Sequence, residues 1–171
     1  GERAGVEEEL RAALAGLERA GAAATYTIEA RNFLAGLLHE QGRLEEAEGL
    51  YRAILPEAEQ VLGLESPRTM SIQNNLAAVQ GALGDRPGAI EKLAALLATR
   101  RRVLGERHPE TAMTASNLAS LYFFEQRFDE AAPLYSSALA ALAEELPPDH
   151  PTILTLRANL FDLAIRDQRV G

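Results

Sequence analysis

The chain has 171 residues, 47% of them hydrophobic, with a formal net charge of −8 and neither cysteine nor tryptophan. That composition makes a packed core rather than disorder the default and excludes a disulfide framework, a thiolate nucleophile and a cysteine-ligated zinc site, and the acidic balance argues against nucleic acid, whose phosphates need a basic face. No apolar run approaches the roughly 18 residues that span a bilayer, and the opening residues lack a signal peptide's basic start and apolar middle, so a cytoplasmic chain with no membrane partner is expected.

Ala, Leu, Glu and Arg dominate, a helix-forming palette, and apolar residues recur at helical spacing along the whole chain. Eight helices are predicted, at residues 3–20, 24–41, 44–62, 67–83, 86–104, 109–125, 128–146 and 151–168. In the first, Val6, Leu10, Leu14 and Leu17 form an apolar stripe. Gly42 and Gly84 stand where the second and fourth should stop, offering a left-handed C-terminal cap. Pro56 falls well inside the third, which it should kink or bend. Ser66-Pro67, His108-Pro109 and His150-Pro151 put proline at the first helical position, where its missing N–H costs nothing, and Asp85-Arg86-Pro87 opens the fifth helix in the same spirit. Arg100-Arg101-Arg102 closes that fifth helix, where cations complement the helix dipole.

The helices repeat as pairs. Asn75-Leu76-Ala77, Asn117-Leu118-Ala119 and Asn159-Leu160 stand 42 residues apart, and one step back lies Phe33-Leu34-Ala35. Pro67, Pro109 and Pro151 keep the period, as do Ala47, Ala89 and Ala131. The sequence Leu118-Ala119, Tyr122, Ala131, Tyr135 resembles the tetratricopeptide signature of a Leu-Gly/Ala step, an aromatic, a small residue and another aromatic. Leu34-Ala35, Leu38, Ala47 and Tyr51 occupy the same offsets, whereas the middle unit has Gln80 and Leu93 at the aromatic positions. The 42-residue period, with Leu104-Gly105-Glu106-Arg107-His108-Pro109-Glu110-Thr111-Ala112 leading into the Asn-Leu-Ala step, resembles the kinesin light chain type of repeat. The resemblance implies an all-α, right-handed superhelical solenoid of antiparallel helix pairs. Its frame divides the chain into an N-terminal half-repeat (1–21), repeats at 24–65, 66–107 and 108–149, and a C-terminal half-repeat (150–171).

A helical solenoid exposes a concave face lined by the first helix of each pair. The residues predicted to approach it include Asn32 and His39 in the first unit, Asn74 and Asn75 in the second, and Met113, Ser116, Asn117, Ser120, Phe123 and Phe124 in the third. Asn159 and Arg166 follow in the fourth. Five asparagines thus form a predicted ladder, and a carboxamide both donates and accepts, as an extended peptide backbone requires. In similar repeats, asparagines at this phase hold a bound peptide. Hydrogen bonds worth about 0.5–1.5 kcal/mol each do not reach the about 8 kcal/mol of micromolar binding, so apolar pockets must add to them. Phe123 and Phe124 beside Met113 are the expected pocket, with Gly81 and Ala78 leaving room next to them. Lys and Arg are too sparse at these positions for a clamp on a partner's terminal carboxylate.

His108 and His150 recur in loops before proline and read as capping residues, while Glu7, Glu8 and Glu9 or Glu45, Glu46 and Glu48 sit at helix starts. No phosphate-binding glycine loop, nucleophile elbow or zinc-protease motif appears, so the expectation is no catalysis, no metal and no cofactor. Two functions remain: a module that binds a protein or peptide in its groove, and a structural spacer or element that self-associates through its terminal helices.

Overall fold

The computed structural model describes residues 2–167. Over that range it holds eight α-helices: α1 (Glu2–Arg19), α2 (Ala24–Glu40), α3 (Leu44–Leu62), α4 (Pro67–Ala82), α5 (Arg86–Val103), α6 (Pro109–Phe124), α7 (Phe128–Leu142) and α8 (Pro151–Asp167). The starts of α2 to α8 fall on the predicted residues. Residue 1 and residue 168, the predicted end of the last helix, lie outside the described residues.

The turns follow a shorter beat than the repeat. Positive φ occurs at Gly21 (62°), Gly42 (76°), Gly63 (91°), Gly84 (113°), Gly105 (95°) and Gln126 (59°), one position in every 21. Each helix and its turn therefore occupy half of the 42-residue period. The turns after the first helices close alike: the N–H of Arg43 reaches the Leu38 carbonyl at 2.9 Å, that of Asp85 reaches Gln80 at 3.0 Å, and that of Arg127 reaches Tyr122 at 2.8 Å. These bonds satisfy carbonyls that a helix end otherwise leaves open, and they need a left-handed residue in between. The next position on this beat is Pro147. Its ring holds φ near −65° and cannot make the turn. There α7 ends at Leu142, four residues before the predicted 146, and the N–H groups of Glu145 and Leu146 turn back to the Leu142 carbonyl.

Helix starts are capped as the X-Pro pairs suggest. Ser66 accepts from the Thr69 N–H at 3.2 Å, and the Nδ1 atoms of His108 and His150 accept from the N–H groups of Glu110 and Thr152 at the same distance. In α3 the helix runs on through Pro56, which is exposed. The Arg52 carbonyl that loses its partner there belongs to an exposed residue, and the helix continues beyond it to Leu62.

The chain forms two compact units, residues 1–85 with α1 to α4 and residues 86–171 with α5 to α8. In the first, Ile28, Leu34, Leu38, Tyr51, Ile54, Ile72 and Val79 make a continuous core together with Ala35, Ala47 and Ala58. In the second, Tyr135, Ile153 and Leu156 are fully buried beside Ala119, Ala131 and Ala138. The alanines let helix axes approach, and the large side chains fill the space between layers. Arg100 breaks the apolar pattern. It is only 1% exposed, its Nη1 donates to the Glu110 carbonyl and to Thr114 Oγ1 at 2.7 Å each, and its Nη2 lies 3.2 Å from Glu110 Oε2. The sequence treats Arg100 as a solvated helix-end cation; in the fold it is a buried tie between α5 and α6.

Candidate functional site

In the first unit, α2 and α4 carry the predicted groove residues. Asn32, Phe33 and Gly36 occupy successive turns of α2, and with Val6 and Leu10 of α1 and Asn75 of α4 they line a recess of about 530 Å³. Phe33 is 67% exposed and Val6 is 53% exposed, so the recess has an apolar lip. The Oδ1 of Asn32, a lining residue, is buried and accepts no hydrogen bond; the hydroxyl of Tyr51, which is not part of the lining, is likewise buried without a partner of hydrogen-bond geometry. A buried carbonyl oxygen without a donor costs about 1–3 kcal/mol. Glu40 completes the lining. His39 is half-buried in the last turn of α2.

The Tyr51 hydroxyl points toward Gly36, 3.7 Å from where a Cβ on that glycine would stand. Burial pushes the hydroxyl pKa up to about 12, while Asn75 opposes the rise without meeting hydrogen-bond geometry. Asn74 departs from the expectation. It is 4% exposed, and its Nδ2 donates to Asn75 Oδ1 at 3.2 Å, so it orients Asn75 instead of lining the groove. Its position faces the helix layer, and a carboxamide there is kept by its internal partners. Around the recess, Arg31 binds Glu18 of α1 and Glu57 of α3 at 2.8 Å each, and Arg68 of α4 binds Glu29 of α2 at 2.6 Å. These pairs hold α1, α3 and α4 around α2.

In the second unit the corresponding polar groups bond among themselves. Tyr135 donates to Ser120 Oγ at 2.9 Å, and Ser120 donates to the Ser116 carbonyl at 3.0 Å. Asn159 also bears on the Tyr135 hydroxyl, against the upward push of burial on its pKa. Asn117 is half-buried and engaged in the fold. The asparagine series is therefore uneven: Asn32 has a buried, unpartnered acceptor, whereas Asn74 donates to Asn75.

Met113 is 52% exposed in the second turn of α6, and Phe124 is 66% exposed in its last turn. Ten residues of helix, about 15 Å, separate Met113 from Phe123, so the three do not form the expected pocket. Instead Phe123 meets Phe124 and Phe128 edge-on, with ring centroids 6.3 Å and 5.6 Å apart. The Arg166 guanidinium lies 5.3 Å from the Phe123 ring, Arg86 lies 5.7 Å from Phe124, and Arg127 lies 4.3 Å from Tyr122. Arg166 is also bound to Asp162 at 3.1 Å. Sequence reasoning missed Val6, Leu10 and Tyr51 as neighbours of the groove. The signal was available in the alignment of Tyr51 and Tyr135 with Gly36 and Ser120, each 84 residues apart.

Among the described residues, no three His, Asp or Glu side chains gather closely enough to hold a metal ion, and no helix is long and apolar enough to cross a membrane. The family model of the tetratricopeptide repeat matches residues 26–94 and 68–144. The chain belongs to the tetratricopeptide repeat family, whose domains are typically non-catalytic and typically mediate protein–protein interaction. Its fold is similar to that of BtubC (BKLC) from P. vanneervenii, with a TM-score of 0.77 and 24% identity over 95% of this chain and 65% of that one. It is also similar to a putative kinesin light chain from Podosopora anserina with nearly identical TPR-like repeats, with a TM-score of 0.71 and 25% identity over 80% of this chain and 64% of that one. The type III secretion translocator chaperone SycD of Yersinia enterocolitica shares the fold at a TM-score of 0.62 and 17% identity, covering 84% of this chain and 88% of that one. The chain thus spans a little under two thirds of the first two structures. No curated protein matches it in sequence.

Proposed function

We propose that this chain is a protein-interaction module that holds an extended segment of a partner across α2 and α4 of its first unit. The observation that carries the reading is the buried, unpartnered Oδ1 of Asn32 inside a recess with an apolar lip. A backbone N–H of the segment bonds Asn32, an apolar side chain enters between Phe33, Val6 and Leu10, and Asn75 offers a second polar contact. Glu40 and the net charge of −8 favour a neutral or basic segment. In the second unit, Met113, Ser116, Asn117, Ser120, Phe123, Phe124, Asn159 and Arg166 are the candidate contacts of a separate surface, with exposed Met113 and Phe124 as its apolar members. The repeat frame proposed at 24–65, 66–107 and 108–149 gives these residues related phases in the sequence.

A peptide-library screen tests this. Binders of the wild-type chain should lose about 10-fold in affinity with Asn32→Ala and more with Phe33→Ala, since one hydrogen bond is worth about 0.5–1.5 kcal/mol and a tenfold change is 1.4 kcal/mol. Binders that ignore both substitutions place recognition elsewhere.

A further inference from the structure

The net charge of −8 is unevenly placed. Residues 1–85, the first unit, hold 14 acidic and seven basic side chains, whereas residues 86–171 hold 11 and ten. The first unit therefore carries −7 and the second −1. The arginines of the first unit are largely occupied by carboxylates outside the recess: Arg31 binds Glu18 and Glu57, Arg43 binds Glu7 and Glu46, and Arg11, Arg52 and Arg68 bind Glu7, Glu48 and Glu29. Glu40 differs. It is exposed, it is the one charged residue in the lining of the recess, and none of those arginines binds it. Its charge bears on the Tyr51 hydroxyl of α3, which lies 3.7 Å from where a Cβ of Gly36 would stand and near Asn75 of α4. At the same phase of the later first helices stand Ala82, Phe124 and Arg166, so the carboxylate is particular to this site.

We infer that the segment held by the first unit is basic, with a lysine or arginine of the partner protein seated at Glu40. This inference rests on the peptide reading above and names the chemistry of its ligand. A cation entering the recess meets a carboxylate that no arginine of the fold neutralises, it meets no cation in the lining, and the excess negative charge of the unit favours its approach. An acidic segment meets repulsion from the same groups, and so does a second copy of this chain at −8. Spacing follows from α2 itself. Asn32 and Glu40 are eight residues apart on that helix, about 12 Å, which an extended segment laid along it covers in about four residues. The partner's cation therefore falls about four residues from the N–H that meets Asn32.

A phage-displayed random-peptide library panned against the full chain at low salt tests this, followed by fluorescence anisotropy of the selected peptides over a salt series. The selected peptides should be enriched in Lys and Arg, and Asn32→Ala, Phe33→Ala and Glu40→Gln should each weaken them. Because Glu40 is exposed, Glu40→Gln should cost about 3–5-fold and Glu40→Lys about 10-fold or more, both with a shallower salt dependence. Glu45→Gln removes an exposed carboxylate outside the recess and should change affinity by about twofold or less. Peptides without an excess of Lys and Arg that still need Asn32 and Phe33 leave the groove reading in place and overturn this inference. Cationic peptides for which Glu40→Gln is no worse than Glu45→Gln also overturn it, and where they ignore Asn32 and Phe33 as well the groove reading falls with it. A library that yields no binder overturns both.

Discussion

Tyr135 donates its hydroxyl to Ser120 at 2.9 Å, and 84 residues earlier the same two positions are Tyr51 and Gly36, where the buried hydroxyl makes no bond of hydrogen-bond geometry. The two hairpins are therefore a natural comparison of one hydrogen bond. Gly36 lies in α2 at ordinary helical φ, and a Cβ there would make an ordinary contact with the Tyr51 oxygen at 3.7 Å. Gly36→Ser should stabilise the fold by about 1–2 kcal/mol, about 0.5 from helix propensity and the rest from the restored bond. In urea titrations Tyr135→Phe should cost about 1 kcal/mol while Tyr51→Phe is close to neutral. Equal costs for the two phenylalanine variants would remove the distinction.

The same tyrosines predict how the protein fails in alkali. Burial raises the pKa of Tyr51 to about 12 and moves Tyr135 in the same direction. An unfolded tyrosine titrates near pH 10, so above that value the unfolded state loses its proton first. The contribution of Tyr51 is whole below about pH 10 and declines until about pH 12. Urea midpoints should fall across that window, with phenolate absorbance of the buried tyrosines appearing together with loss of helicity. Tyr51→Phe should flatten the decline. An unchanged slope in that variant would assign the alkaline loss to other groups.

Among the described residues, five of the six left-handed turn positions are glycine, and the sixth is Gln126 at φ 59°. A side chain in that region costs about 1 kcal/mol relative to glycine. Gln126→Gly should raise stability by about 0.5–1 kcal/mol, and Gly84→Ala should lower it by about 1 kcal/mol or more, since φ there is 113°. Thermal melts of the two variants should move in opposite directions. Shifts of the same sign would mean that turn strain does not limit the fold.

Backbone rules made the architecture legible: Pro67, Pro109 and Pro151 mark helix starts, and Gly42 and Gly84 mark helix ends, because few alternatives satisfy those positions. The early end of α7 was written in Pro147, but only once the 21-residue beat of the turns was seen. Side-chain roles were less legible. Asn32, Asn74 and Asn159 share a phase or neighbour it, yet one keeps an open acceptor, one is buried against Asn75 and one sits by Tyr135. The difference comes from partners on other helices, such as Ser120 against Gly36, which helical periodicity along one segment does not encode.

Arg100 is the sharpest case of that kind. It occupies the position of Ala58 and Leu142 in its sister helices, so its methylenes fill a layer that elsewhere holds apolar side chains, while its guanidinium binds the Glu110 carbonyl and Thr114. Burial lowers its pKa and the charge of Glu110 resists that shift. The Glu110 side chain is 34% exposed, but its Oε2, which faces Arg100, is buried, so losing the arginine also removes the countercharge of that oxygen. Arg100→Ala should therefore cost about 2–4 kcal/mol, mostly through the cavity and the lost bonds to the Glu110 carbonyl and Thr114. Arg100→Leu fills the layer and should recover more than half of that loss, because apolar replacements of buried ion pairs are often tolerated. Urea unfolding of the three proteins decides between packing and charge. If leucine is as damaging as alanine, the charged contacts to α6 carry the stability and the packing account of this position fails.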